Sequence, residues 1–287
     1  MDELNTFLKS VIILVVISVF VYTIINRING KSSFNESLSS INETLYGLYD
    51  KFSYKFEKNN NFENLGVVDC IYCIVMPKRK EYMISVFDKL KLNYTFFNAI
   101  TPVDITQKQY NILSSTNDKN SKLYNKNTRL PLQLSFTMCY LDAIKKGYNT
   151  IIIFEDDVVV KVDTHTLIDS ISEFKKSDYV FFYMGYCWMD CKQEFTIDKL
   201  INVPDKQLFC CHSICYKVKY LPSLIKSMYP MNDNLDNNIV NFIKENNYKV
   251  CVPSTTFFDQ NRSVLGTLND DDNEGELPTC NKTLTKN

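Results

Sequence analysis

An α/β layered domain behind an amino-terminal membrane anchor is the architecture that this 287-residue sequence predicts. Three observations carry it. Strand-like and helix-like segments alternate from Val67 onward, the pattern of an α/β layer structure. The run Thr150-Ile151-Ile152-Ile153-Phe154 has no polar residue alternating with its apolar ones, as in a strand buried on both faces of a sheet. Val11 to Ile25 is apolar apart from Ser18, Tyr22 and Thr23. With 45% hydrophobic and 23% charged residues, the chain has ample material for one sizeable core.

No charge lies between Lys9 and Arg27. At about 1.5 Å per residue, the intervening helix just spans a hydrocarbon core of roughly 30 Å. Residues 1–28 therefore read as a single transmembrane anchor with a short flank. A cleaved signal peptide is the competing reading, but no small-x-small cleavage site follows the run. Lys9 with Asp2 and Glu3 on one side, and Arg27 with Lys31 on the other, leave the orientation open.

Residues 29–65 read as stem and linker. Phe34, Leu38, Ile41, Leu45, Leu48 and Phe52 follow at spacings of 4, 3, 4, 3 and 4, the a/d pattern of a coiled coil or amphipathic helix. Under three heptads is marginal alone, so this stem helix either forms a homodimer or packs against the globular domain. The polar segment from Lys58 to Asn64 serves as linker.

The globular domain spans residues 66–265. Val67 to Met76 reads as a strand, Glu81 to Lys91 as a helix with Met83, Val86, Phe87 and Leu90 on one face, and Tyr94 to Ala99 as a strand. Thr101 to Arg129 is rich in Asn, Lys, Ser and Thr and reads as an insertion. Leu132, Phe136, Cys139, Tyr140 and Ala143 mark a helix face leading through Gly147 into the strand at Thr150. Leu167, Ile168, Ile171 and Phe174 mark another helix, and Tyr179 to Met184 a buried strand ending at Gly185. Gln207 to Val218 is strand-like, Tyr220 to Met228 and Asp236 to Asn246 are helical, and Tyr248 to Val252 is the last clear strand. Residues 266–287 form an acidic, solvated tail with Asp270, Asp271, Asp272, Glu274 and Glu276.

Composition excludes several classes. A net charge of −1 gives no field for nucleic acid. With 7 Gly and neither a Gly-x-Gly-x-x-Gly nor a Gly-x-x-x-x-Gly-Lys pattern, the familiar phosphate cradles are missing. Cys70-x-x-Cys73 falls in a strand-like run, where positions three apart point to opposite faces, which argues against half a zinc site. Cys187, Cys191, Cys210, Cys211 and Cys215 are crowded enough for some to pair in an oxidising lumen; otherwise they are buried thiols. Sequons at Asn35, Asn42, Asn93, Asn261 and Asn281 permit such a lumen.

The chemistry concentrates at Glu155-Asp156-Asp157, which closes the buried strand. Three adjacent acids repel one another unless a cation or a hydrogen-bond network holds them, and hard oxygen ligands select Mg²⁺, Mn²⁺ or Ca²⁺. In open α/β sheets ligands bind beyond the carboxyl ends of strands, where these acids sit.

The order of pieces from about Ile71 to Ser263 resembles glycosyltransferase family 25, the lipooligosaccharide and collagen galactosyltransferases and similar enzymes of large DNA viruses. The matching residues are Ile71-Tyr72-Cys73-Ile74-Val75-Met76-Pro77-Lys78-Arg79, then Phe97-Asn98-Ala99, Glu155-Asp156-Asp157, Met184-Gly185, Asp236 after Tyr229-Pro230, Pro253, Phe258-Asp259-Gln260 and Ser263. Where the family carries Ser-His in the helix before the acids, this chain has Cys139-Tyr140.

The resemblance implies a GT-A-like, Rossmann-type α/β/α sandwich that binds a nucleoside-diphosphate sugar, a UDP-sugar first, with Mn²⁺ or Mg²⁺. It implies inverting transfer of a hexose such as galactose or glucose to a glycan or protein hydroxyl. On that footing the metal ligands are Asp157, Glu155, Asp156 and Asp259, with Asp157 foremost. Since only alternate strand residues share a face, Asp156 is the third choice at the strand end. Lys78, Arg79, Glu155, Asp156 and Gln260 would contact the nucleotide sugar. Asp236 is the first candidate for general base and Asp233 the second, although an Asp before an apolar-periodic segment also reads as a helix cap. Tyr186 and Trp188 either stack on an acceptor or close the core, and His212 reads as a packed strand residue. The expected location is a single-pass secretory or viral membrane. Two other classes fit the same residues: a membrane-tethered binding module, and a phosphoesterase, for which two His are few.

Overall fold

The computed structural model describes residues 37–62, 66–114, 126–188, 200–202 and 208–261. The apolar run 11–25, Phe34, Cys191, residues 115–125 of the polar insertion and the acidic tail lie outside them. Among the described residues no helix is long and apolar enough to cross a membrane. A helix, α1, covers residues 37–52, and the contacts divide the chain into two units between Tyr46 and Gly47.

In chain order the strands of the second unit are β1 (Phe56–Asn59), β2 (Cys70–Val75), β3 (Tyr94–Asn98), β4 (Thr150–Glu155), β5 (Val158–Val160), β6 (Phe181–Trp188), β7 (Leu200–Asn202), β8 (Leu208–Lys217), β9 (Val250–Pro253) and β10 (Phe258–Gln260). The helices after α1 are α2 (Lys80–Leu90), α3 (Gln107–Leu113), α4 (Lys126–Lys145), α5 (Thr164–Lys176), α6 (Leu221–Met228) and α7 (Leu235–Glu245). Eight strands form one sheet in the order β1-β3-β2-β4-β8-β6-β9-β7, and β5 pairs with β10 apart from it. Strands β2, β3, β4, β6 and β9 run one way, while β8 lies antiparallel between β4 and β6. The result is a mixed α/β fold, compatible with a Rossmann-like arrangement, in which the carboxyl ends of β2, β4 and β6 and the amino end of β8 share one rim.

The absence of alternation in β4 follows from its two covered faces. Ile152 and Phe154 join Ile71, Cys73 and Val75 against Met83, Val86, Phe87 and Leu90 of α2 and Leu167, Ile171 and Phe174 of α5. On the other face, Tyr72 donates its hydroxyl to Asp142 of α4, Tyr216 packs edge-on to Tyr140 of α4 and to Phe181, and Phe181 lies beside Phe242 of α7. Burying such Ile and Phe side chains fully contributes about 1.5–3 kcal/mol each, which makes this strand the anchor of both layers. Helix boundaries follow local chemistry. α2 stops where Lys91 turns left-handed at φ 52°, and Asp163 caps α5 by accepting from the Thr166 N–H.

Several segments depart from the sequence expectation. The polar linker read from Lys58 begins as strand: β1 pairs antiparallel with β3, and as an edge strand it needs only one apolar face. Leu48 and Phe52 are fully buried and Tyr49 donates to Asp142, so the last stem positions belong to the second unit's core, not to a free dimer seam. The insertion contains α3, started by a reciprocal capping box between Thr106 and Gln109. Helix α4 is buried nearly all round, whereas Leu132, expected on its inner face, is 40% exposed. Three of its buried polar side chains have distant partners: Gln133 donates to the Met228 carbonyl, Ser135 accepts from the Ile100 N–H and Thr137 pairs with the Tyr229 hydroxyl. Cys139 and Tyr140 are core residues there. The Asn93 amide of one sequon is bonded both ways to the Phe62 backbone, which a glycan on that nitrogen would disrupt.

Strand β6 continues through Gly185 to Trp188 instead of ending there. A Cβ at Gly185 would collide with His212 Nε2, the Phe258 carbonyl oxygen and Ser213 Oγ, so a side chain is excluded by the convergence of β6, β8 and β10. Gly185→Ala is expected to cost about 2–3 kcal/mol in urea unfolding, because a backbone oxygen cannot swing aside. Gly47→Ala, with nothing within 4 Å of its added Cβ inside α1, should instead gain about 0.5–1 kcal/mol.

Candidate active site

The site begins at the end of β4, where Glu155 closes the strand and Asp156 and Asp157 form the turn to β5. Asp156 turns inward on the α2 side and is 6% exposed. Its Oδ1 pairs with Arg79 Nη1 at 2.7 Å, and its Oδ2 accepts from the Met76 N–H at 2.7 Å. It therefore ties the end of β4 to the Pro77–Arg79 turn that follows β2. Arg79 is 4% exposed and engaged by this ion pair, whereas Lys78 in the same turn is exposed. Removing one partner of such a pair would leave an uncompensated buried charge.

Glu155 and Asp157 share the other side. The Gln260 side-chain nitrogen lies 3.4 Å from both Glu155 Oε2 and Asp157 Oδ2, bridging the two carboxylates at the outer limit of hydrogen bonding. Gln260 reaches them because β10 pairs with β5 in the register Gln260↔Val158, and the Asn261 N–H donates to the Asp157 carbonyl at 2.6 Å. Asp259 occupies the adjacent β10 position, facing the opposite way, and is ion-paired with Lys161. Of the four acids expected as metal ligands, the structure thus brings Glu155 and Asp157 together and directs Asp156 and Asp259 elsewhere. Among the described residues no three His, Cys, Asp or Glu side chains converge to hold a metal ion.

The two candidate bases lie at the start of α7, in different settings. Asp233 Oδ1 accepts from the Asn234 N–H and from Asn237 Nδ2, an arrangement local to the helix start. Asn234, not Asp236, occupies the cap position. The Asp236 carboxylate reaches across to β8: Oδ2 accepts from the Cys210 N–H at 2.9 Å and Oδ1 from Cys211 Sγ at 3.0 Å. The Cys211 thiol is deeply buried, and burial, followed by the Asp236 and Glu155 charges, pushes its ionisation well up, so it stays a donor. Burial and the charges of Asp156, Asp157 and Glu155 push the Cys73 thiol up in the same way. Both thiols feel the rim's negative potential.

Of the crowded cysteines, Cys187 and Cys210 form a disulfide, while Cys211 and Cys215 are buried thiols. His212 is 2% exposed in β8, its Nε2 3.1 Å from the Phe258 carbonyl oxygen. Tyr186 is partly buried on β6. A cavity of about 340 Å³ opens toward the amino ends of β2, β3 and β4, among Asp69, Cys70, Asn93, Thr95 and Ile152, and includes none of the rim acids. Crowding of the cysteines points to a pair and to buried thiols, but the contacts of Gly185, Cys210 and Cys211 at the rim escape sequence reasoning. The adjacent Met184-Gly185 match is their nearest signal, since contact with β8 appears only once the strands are registered.

Fold and geometry together define an α/β protein with a cluster of acids at the carboxyl rim of its sheet. The family model of glycosyltransferase family 25 (LPS biosynthesis protein) matches residues 75–234, more than half of the chain. The chain belongs to that family and is a glycosyltransferase. None of the curated proteins matches it. The matched span contains Arg79 and the three acids and stops short of Asp236 and Gln260, which the fold brings back to the same rim. Asp156→Ala is expected to lower the unfolding free energy by about 3–5 kcal/mol, against no more than about 1 kcal/mol for Asp157→Asn, measured by urea denaturation.

Proposed function

We propose that this glycosyltransferase adopts the GT-A fold and moves a hexosyl group, galactose or glucose, from a UDP-sugar to the hydroxyl of a glycan or protein. The proposed reaction depends on Mn²⁺ or Mg²⁺ and inverts the anomeric centre, and residues 1–28 anchor the enzyme in a membrane. The observation that carries the reading is the pair Glu155 and Asp157, bridged by Gln260 at a strand end.

Two carboxylates fit a hard cation that takes its remaining oxygens from water and a diphosphate; Mg²⁺ is commonly bound by one or two carboxylates plus substrate phosphates. Glu155 and Asp157 would hold it. When bound, the cation neutralises charge on the leaving diphosphate. The chain has no Gly-rich loop to do so. Gln260 spaces the two carboxylates. Exposed Lys78 supplies a further positive charge near the diphosphate, while buried Arg79 acts through Asp156 to fix the turn that carries Lys78. Asp236 accepts the acceptor's hydroxyl proton as the oxygen attacks C1 and the bond from C1 to the diphosphate breaks on the opposite face.

The test combines binding and turnover. UDP-galactose or UDP-glucose with Mn²⁺ should raise the thermal midpoint together, and neither alone, by an amount corresponding to about 2.7 kcal/mol at a hundredfold excess over Kd. Asp157→Asn should lower transfer about 100-fold or more while leaving the apo midpoint unchanged. Full transfer in excess EDTA, or by Asp157→Asn, would overturn the metal assignment.

A further inference from the structure

The amino end of β8 is not a regular ladder. Between the pairs Gly185↔Ser213 and Cys187↔Phe209, β6 advances two residues while β8 advances four. The surplus falls in Cys210, Cys211 and His212, a bulge of the kind that re-aims side chains beside functional sites. Cys210 lies in the left-handed region at φ 67°, uncommon for a residue other than glycine. Its N–H thereby leaves the ladder and meets Asp236 Oδ2 at 2.9 Å. The side chain of the same residue is tied to Cys187 on β6 by the disulfide. The next residue, Cys211, is 2% exposed and directs Sγ to Asp236 Oδ1 at 3.0 Å. Both carboxylate oxygens are thus held from one bulge, leaving lone pairs for an incoming hydroxyl, since a carboxylate offers about four acceptor sites.

We propose that Cys210, clamped by its disulfide to Cys187, and Cys211 are positioning residues that hold Asp236 in its reactive orientation. This rests on the reading of Asp236 as the base. The backbone strain at Cys210 has a purpose on this account, because a relaxed β conformation would return its N–H to the ladder. A thiol donor suits the role: its ionisation is suppressed by burial, so it adds no charge beside the carboxylate.

The experiment compares Cys211→Ala, Cys211→Ser and the double variant Cys187→Ser/Cys210→Ser with wild type, measuring kcat, donor and acceptor KM, and thermal midpoint. Cys211→Ala should lower kcat about tenfold with both KM values within about twofold, which is how loss of an interaction needed at the reacting step reads. Cys211→Ser should recover most of the loss, because its hydroxyl also donates. The double serine variant should lower kcat like Cys211→Ala. The proposal is overturned if Cys211→Ala keeps wild-type kcat, or if serine loses as much as alanine, which would assign Cys211 to packing alone. Wild-type kcat in the double serine variant would remove the disulfide from it. Asp236→Asn separates the two levels. If that variant still transfers sugar, the base reading fails; if it is inactive while Cys211→Ala is fully active, only the positioning role fails.

Discussion

The three adjacent acids at the end of β4, Glu155 in the strand and Asp156 and Asp157 in the turn to β5, lie in two environments. Asp156, in the turn, is directed inward, where it meets the Arg79 guanidinium and the Met76 N–H. Glu155 and Asp157 remain on the side reached by Gln260. Like charges so close together need separate compensation. The inward acid receives a fixed cation from the protein, and the Gln260 amide bridges the outward pair. That division makes one short segment both a structural tie and a patch of negative charge at the rim.

The rest of the rim depends on the antiparallel insertion of β8. Had β8 run with its neighbours, its amino end would lie at the far edge, and Cys210 and Cys211 would not stand level with Glu155. Register places Phe154 opposite Ser213 and Gly185 opposite the same residue, so three strands meet within one residue of the acids. Only glycine leaves room for His212 and the Phe258 backbone at that crossing. Strand β10 then runs across the mouth, held by the Phe257 N–H to the Met184 carbonyl and the Asn261 N–H to the Asp157 carbonyl. The bridging Gln260 is therefore placed by backbone bonds, not by its own weak contacts.

What the sequence made legible was the part governed by strong local patterns. β4, α2, α5 and α7 follow from their apolar patterns, whereas the division of the acids is made by the turn after Glu155, since Asp156 and Asp157 lie beyond the strand. Elements with little apolar signal were misread: β1, an edge strand with two exposed residues in a charged segment, and α3, whose start is set by the Thr106 and Gln109 side chains. Helix α4 shows a different failure. Buried on nearly all sides, it has no single inner face, and its Gln133, Ser135 and Thr137 look exposed until their distant partners are known. For the site, the destination of Asp259 depended on a strand pairing almost a hundred residues back in the chain, with Val159 opposite it and Lys161 nearby. The setting of Asp236 depended on a bulge, and a bulge is a mismatch between two strands that neither sequence displays alone.

The Cys210-Cys211 doublet poses a problem of its own, because a thiol next to a disulfide can attack it and exchange partners. Exchange proceeds through the thiolate and requires access to a sulfur of the bond. Burial and the neighbouring carboxylates oppose ionisation of Cys211, and its sulfur is already directed at Asp236. Cys215, further along β8, is likewise buried with its ionisation pushed up, chiefly by burial. The pairing of Cys187 with Cys210 is therefore protected by burial and by the negative charge of the rim. Removing negative charge there, as in Asp236→Asn, relieves part of what suppresses the Cys211 thiolate and so weakens that protection, which ties the disulfide's identity to the charge of the site.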